Sequence, residues 1–183
     1  PCQAFSYAGK KRGFEDTRGT LFFEFARCIT ELKKKPKIVV AENVRGLISH
    51  DGGKTLTTML KVLKDLGYKT HVKLLKAQFH DVPQKRERLF IFGIRDDLKM
   101  NLFIPKETEV MTLREALENC PTSDGMNYTD KKKLVMDMVP EGGNWRDLPE
   151  DIQKEYMKKS YYLGGGKTGM ARRLSWDEPS LTL

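Results

Sequence analysis

Cys2, Glu42 and the pair Arg86 and Arg88 stand far apart along the chain, yet their side chains form a chemical set. A cysteine attacks as its thiolate, in surroundings that favour that form. A carboxyl whose proton affinity is raised by burial can protonate, or hydrogen-bond, a position where negative charge accumulates. A guanidinium offers a fixed fork of donors to a carbonyl or a phosphate. Nucleophile, acid and fork together are a working set for attack on an electron-poor ring such as a pyrimidine. Each residue also has a blander reading. Cys2 is a small buried hydrophobe, Glu42 a solvated loop glutamate, and the arginines an exposed charge cluster at the start of a strand.

These groups need elements to position them. Residues 1–17, with Gly9 and Gly13, Lys10 and Lys11, and Ser6, read as a loop, in which Pro1 restricts the backbone beside Cys2. Residues 18–35 predict a helix with Leu21, Phe22, Phe25, Ile29 and Leu32 on one face, Asp16 or Thr17 as cap and Pro36 as stop. Cys28 falls beside Phe25 and Leu32 and reads as packing. The continuous apolar run Ile38 to Ala41 predicts a strand buried on both faces. Glu42 sits at its carboxyl end, where open α/β sheets bind ligands. A helix is expected over 54–66, with Leu56, Met59, Leu60 and Leu63 on one face and Gly67 as C-terminal cap. Tyr68, Thr70, Val72 and Leu74 alternate with polar residues as in a strand, and Leu89 to Ile94 read as another. The loop 76–87 between these strands carries Arg86. Helix–strand alternation predicts an α/β fold as far as about residue 95. Beyond it the pattern breaks into a small irregular lobe, with short helices at Leu113 to Leu117 and over 147–159.

Composition narrows the function classes. The chain has 183 residues, 39% hydrophobic and 32% charged, with 33 Lys and Arg against 25 Asp and Glu, a net charge of +8. That balance suits a polyanionic partner, or simply a solubilising surface. Cys2, Cys28 and Cys120 form no Cys-x-x-Cys pair and are odd in number, which disfavours a disulfide framework or a zinc site and suits a reducing compartment. His50, His71 and His80 lack ligand spacing, so no metal is expected. The sequence shows no signal-peptide pattern and no apolar run of membrane length, so a soluble, cytoplasmic chain is expected. Gly53-Lys54-Thr55 and Gly166-Lys167-Thr168 lack the glycine that a phosphate-cradling loop needs at Ile48 and Tyr161. Triphosphate binding is excluded on that ground.

Longer stretches carry a family resemblance. Pro1-Cys2-Gln3-Ala4-Phe5-Ser6 is followed by Gly9, Gly13-Phe14-Glu15-Asp16 and Arg18-Gly19-Thr20-Leu21-Phe22. Further on come Ala41-Glu42-Asn43-Val44 and Pro83-Gln84-Lys85-Arg86-Glu87-Arg88-Leu89. In order and wording these resemble the catalytic loop, the Glu-Asn-Val motif and the Gln-x-Arg-x-Arg motif of the DNA (cytosine-5)-methyltransferases of bacterial restriction–modification type. The resemblance implies a partial Rossmann-like, S-adenosylmethionine-dependent catalytic domain over 1–104 and a target-recognition lobe over 105–183. It makes Cys2 the nucleophile toward cytosine C6 in a flipped base. It puts Glu42 on N3 and Arg88 on O2, with Arg86 supporting the active-site loop, Asn43 orienting its own segment and Gln84 structural. Leu21 lines the adenine side of an S-adenosylmethionine pocket and Pro1 lies at its edge. Gln3, Ser6, Arg86, Arg88 and Arg172 face double-stranded DNA.

In the recognition region, 105–175, Lys131-Lys132-Lys133, Lys158-Lys159 and Arg172-Arg173 are interspersed with Tyr128, Trp145, Tyr156, Tyr161 and Tyr162. They can meet phosphates and bases, or be a solvated face with ordinary packing aromatics. Arg172 to Leu183 resembles the start of the family's next motif. The family's Phe-x-Gly-x-Gly cofactor loop, its ribose-holding acid and its late Gly-Asn motif are absent. The expectation is a fragment of a longer enzyme, or one subunit paired with a complementary methyltransferase fragment, that binds S-adenosylmethionine poorly alone. RNA (transfer RNA) cytosine-5 methylation and a non-enzymatic DNA-binding remnant are the alternatives. A host-protecting role beside a restriction enzyme is what the resemblance implies for microbial members.

Overall fold

The computed structural model describes residues 21–122, 124–125, 127–163 and 169–182, and the chain divides into two compact units. The first comprises residues up to 76 together with 87–106; the second comprises 77–86 and 107–183. The sequence reading divides the chain once, after 104, and keeps 77–86 with the first part.

In the first unit, α1 (Leu21–Glu31) buries Phe22, Ala26 and Ile29. At about 100° per residue these lie on one narrow line, while Leu21, Cys28 and Leu32 fall roughly a quarter-turn or more to one side. The expected face is therefore corrected at its margins: Leu21 and Leu32 are 46% and 52% exposed. Cys28, expected to pack, is exposed as well.

Strands β1 (Ile38–Val44), β2 (Tyr68–Lys76) and β4 (Glu87–Arg95) form an antiparallel sheet in the order β1-β4-β2. Helix α2 (Lys54–Asp65) and α1 supply Met59, Leu63, Phe22 and Ile29 to a core shared with Val39, Tyr68, Leu89 and Ile91. The expectation that β1 is buried on both faces is wrong. Val39 is 6% exposed, whereas Ile38 and Val40 are 45% and 49% exposed. Side chains alternate across a sheet, and among the described residues helices cover the face that carries Val39.

Gly67 ends α2 in the left-handed region at φ 85°, and its N–H donates to the Lys64 carbonyl at 2.9 Å, as a glycine C-cap should. Gly93, opposite Val39 and Thr70, is required by crowding. A Cβ there would lie 2.6 Å from Val39 Cγ2 and 3.2 Å from Tyr68 Cβ.

In the second unit, β3 (Gln84–Lys85) pairs in parallel with β5 (Ser180–Leu181), and Lys85 Nζ meets Glu178 at 2.7 Å. Helix α3 (Leu113–Leu117), placed as predicted, starts from a capping box in which Thr112 and Glu115 satisfy each other's backbone N–H groups. Helices α4 (Asp130–Met138) and α5 (Glu150–Met157) close a separate core of Val135, Val139, Trp145, Leu148 and Met157. The sequence reading lacks α4, because Lys131-Lys132-Lys133 masks the single buried position, Val135. Helix α5 is shorter than 147–159, since 3-10 turns at Trp145–Asp147 and Lys158–Tyr162 flank it and Lys158 takes φ 49°.

Candidate active site

Pairing of β1 with β4 puts Glu42 directly opposite Phe90, and Arg88 opposite Val44. Arg88 is thus the diagonal neighbour of Glu42 on the same face, a separation that long side chains bridge. The Arg88 Nε lies 2.8 Å from Glu42 Oε1, with the two side chains 20% and 43% exposed. Arg88 Nη1 also donates to the Glu87 carbonyl at 2.8 Å, so the guanidinium is held from two directions. Glu42 departs from expectation in two ways. It was expected at the carboxyl end of the strand, and β1 continues two residues past it to Val44. It also lies on the uncovered face, so the burial expected of it is not found.

Neighbouring groups stiffen this end of the sheet. Asn43 is 8% exposed, and its Oδ1 accepts from the Val44 N–H at 2.9 Å, so its side chain is spent on the backbone beside Glu42. Glu87 receives Arg45 Nη1 at 2.9 Å and Lys76 Nζ at 3.6 Å, tying the segment after β1 to β4 and β2. Phe90 and Phe92 stack with ring centroids 5.9 Å apart, on the face that carries Glu42. The sequence reading missed Arg45, Lys76 and Phe90. The recurrence of Phe90 and Phe92 two apart in the apolar run Leu89 to Ile94 was the available signal for Phe90, whereas the ion pairs to Glu87 have no local signature.

Of the expected site residues, the structure therefore brings Glu42 and Arg88 together. Arg86 is half-buried in the second unit, where its carbonyl accepts from the Ala77 N–H and its N–H donates to the Gln84 carbonyl, both at 2.8 Å. Pro1, Cys2, Gln3 and Ser6 lie outside the described residues. Arg172 is exposed in the second unit, while its neighbour Arg173 serves structure, donating from Nη1 to the Val139 carbonyl at 3.2 Å. Of the recognition-region aromatics, Trp145, Tyr156 and Tyr161 belong to the core, which decides for packing there. Tyr128 and Tyr162 are exposed, and Lys132 Nζ sits 4.4 Å over the Tyr128 ring. Carboxyls with perturbed affinity lie in that unit too. A side-chain hydrogen bond from Arg114 holds Asp177 below the ordinary carboxyl range, and the Thr112 backbone N–H does the same for Glu115. Among the described residues no group of His, Cys, Asp or Glu is arranged to hold a metal, and no helix is long and apolar enough to cross a membrane.

The family model for C-5 cytosine-specific DNA methylases matches residues 1–176. The chain belongs to that family. It is 58% identical over 194 residues to the type II methyltransferase M.Eco47II of Escherichia coli, a match covering all of this chain and 46% of that protein. With the type II methyltransferase M.Sau96I of Staphylococcus aureus it shares 53% over 188 residues, covering 43% of that protein. The chain thus spans less than half the length of these curated relatives. Among solved structures it resembles the Entamoeba histolytica methyltransferase EhMeth, with a TM-score of 0.54 at 16% identity over 78% of this chain and 44% of the other. Spodoptera frugiperda DNMT2 gives 0.50 at 18% identity over 91% and 59%. Those likenesses establish the fold, a partial methyltransferase domain of mixed α/β type. In this chain the antiparallel β1-β4-β2 sheet carries both Glu42 and Arg88.

Proposed function

We propose that this chain carries the ring-attacking half of a cytosine-5 methyltransferase, and that the assembled enzyme methylates C5 of cytosine in double-stranded DNA. The observation that carries this reading is the 2.8 Å contact between Glu42 and Arg88 across β1 and β4. Cytosine N3 and O2 are neighbouring atoms on one ring edge. A carboxyl and a guanidinium held side by side suit those two atoms, and each keeps the other satisfied until a base arrives.

The target base is rotated out of the duplex before it reacts. The Cys2 thiolate adds to C6, forming an S–C bond, and the displaced electron density moves toward N3 and O2. Glu42 shares a proton with N3, and the Arg88 fork holds O2. C5 then carries the electron pair that takes up the methyl group. Loss of the C5 proton to a base and departure of Cys2 restore the ring. S-adenosylmethionine supplies the methyl group in this chemistry. Leu21, 46% exposed, offers the adenine an apolar surface, and Pro1 is the second candidate for contact with the cofactor. The described residues supply no assigned partner for the cofactor's ribose or amino-acid end, so tight binding calls for the remainder of a longer enzyme or a complementary subunit. Arg86, Gln3, Ser6 and Arg172 are the remaining candidates for contact with DNA, and a cytoplasmic setting suits a DNA-modifying enzyme.

Covalent trapping tests the reading. With S-adenosylmethionine and a duplex containing 5-fluorocytosine, the full-length protein forms an adduct that survives denaturation, and Cys2→Ser forms none. An adduct in the serine variant refutes the nucleophile, and absence of any adduct with the intact protein refutes the activity. Adduct on an RNA substrate, and none on the duplex, moves the assignment to RNA. Isothermal titration of this chain alone with S-adenosylmethionine is expected to show no micromolar binding.

A further inference from the structure

The end of the sheet opposite Glu42 and Arg88 is strongly basic. The segment after α1, the turn between α2 and β2, and the turn after β4 converge there through backbone contacts. The Arg95 N–H donates to the Lys37 carbonyl at 3.0 Å, and the Asp96 N–H to the Gly67 carbonyl at 3.0 Å. Tyr68 Oη donates to the Pro36 carbonyl at 2.8 Å, and Lys35 Nζ to the Leu66 carbonyl at 3.2 Å. Lys33, Lys34, Lys37, Lys64, Lys69 and Lys99 are all exposed at this end. None holds an ion pair among the described residues. The carboxylates nearby are already engaged: Glu31 with Arg27 at 2.7 Å, Asp65 with Lys61 at 2.6 Å, and Asp97 with Arg95 at 2.6 Å. Asp97 also feels the charge of Lys37, and with Asp96 it leaves the six lysines in clear excess at this end.

We propose that this basic end is a second contact surface for the phosphate backbone of duplex DNA, separate from the one that presents the target base. Lys37 precedes Glu42 by five positions, which at ~3.3 Å per residue puts it about 16 Å along β1 from the catalytic pair. That is beyond a Debye length of about 8 Å at physiological salt, so the two ends act on DNA independently. The lysines are compact point charges on flexible stems, suited to phosphates at any sequence. The surface therefore holds a flanking or second DNA segment without reading it, and keeps the enzyme on long DNA between methylation events. Lysines at helix C-termini also offset the helix dipole. That accounts for Lys35 and Lys64 beside α2, but not for Lys37, Lys69 and Lys99.

From the proposed function this inference borrows only the identity of the polymer. Its test reads binding as well as catalysis. Full-length K33Q/K34Q/K37Q is compared with the unaltered protein for binding to a non-specific duplex over a salt series. Each lost phosphate contact lowers the log–log salt slope by about 0.9, so the slope falls by roughly 2 to 3. Methyl transfer to a short duplex spanning only the target stays unchanged, and the number of methyl groups added per encounter with long DNA falls. An unchanged salt slope overturns the proposal, as does a lowered melting temperature with no change in slope, which assigns the lysines to helix stabilisation. Competition by an acidic polypeptide but not by duplex DNA also overturns it, in favour of a protein partner. If the unaltered protein transfers no methyl group, the slope comparison still decides this proposal while the proposed function fails.

Discussion

Replacing Glu42 by Gln separates the two things the Glu42–Arg88 contact can be for. At 2.8 Å two unit charges attract by about 6 kcal/mol at an effective dielectric of 20. Glu42 is 43% exposed, however, and ion pairs in such surroundings contribute only ~0.2–1 kcal/mol to stability. Glu42→Gln should therefore cost less than about 1 kcal/mol in a urea titration, with an unchanged m-value. If Glu42 meets the charge that develops on N3, the same change removes a transition-state contact of about 3–4 kcal/mol and slows methyl transfer by roughly 10²–10³. Arg88→Lys keeps the charge but loses the fork, and should show the same split between stability and rate. The reasoning fails if Glu42→Gln loses 3 kcal/mol or more of stability, which would make the pair a structural brace. It also fails if single-turnover methyl transfer stays within tenfold of the unaltered enzyme.

Gly93→Ala forces a methyl group to within 2.6 Å of Val39 Cγ2. The expected loss is ~1–3 kcal/mol, recovered in part when Val39→Ala is added; a double-mutant cycle in urea with no coupling between the two would show that the crowding is relieved elsewhere. The Glu115 carboxyl, held below its ordinary value of 4.5 by the Thr112 backbone N–H, stabilises the start of α3 only while ionised. Its contribution is present above the ordinary value and is lost as pH falls through that value toward the depressed folded one. The stability advantage over Glu115→Gln should accordingly shrink between neutral pH and acid below 4.5, and a constant difference across that span contradicts the capping geometry.

Much of the secondary structure was legible because its causes are local. Met59 and Leu63 recur at helical spacing, Gly67 can adopt a left-handed cap, and Thr112 with Glu115 writes a capping box, so α2 and α3 lie close to where the residues put them. The chemical types at Cys2, Glu42, Arg86 and Arg88, and their order, were equally plain, but it was the longer stretches around them, Pro1 to Phe22, Ala41 to Val44 and Pro83 to Leu89, that carried the resemblance to a family. Strand partners were not legible. The run Ile38 to Ala41 reads the same in a doubly covered parallel sheet as in an antiparallel one with a single covered face, and long-range pairing with β4 chose the second. That pairing leaves Ile38 and Val40 on the uncovered face and brings Arg88 to Glu42 although they stand 46 positions apart in the sequence. Cys28 and α4 were misread for a related reason. An apolar or basic residue type states a preference for burial or solvent, but which side of a helix is covered depends on what packs there, and that is settled only when distant segments meet.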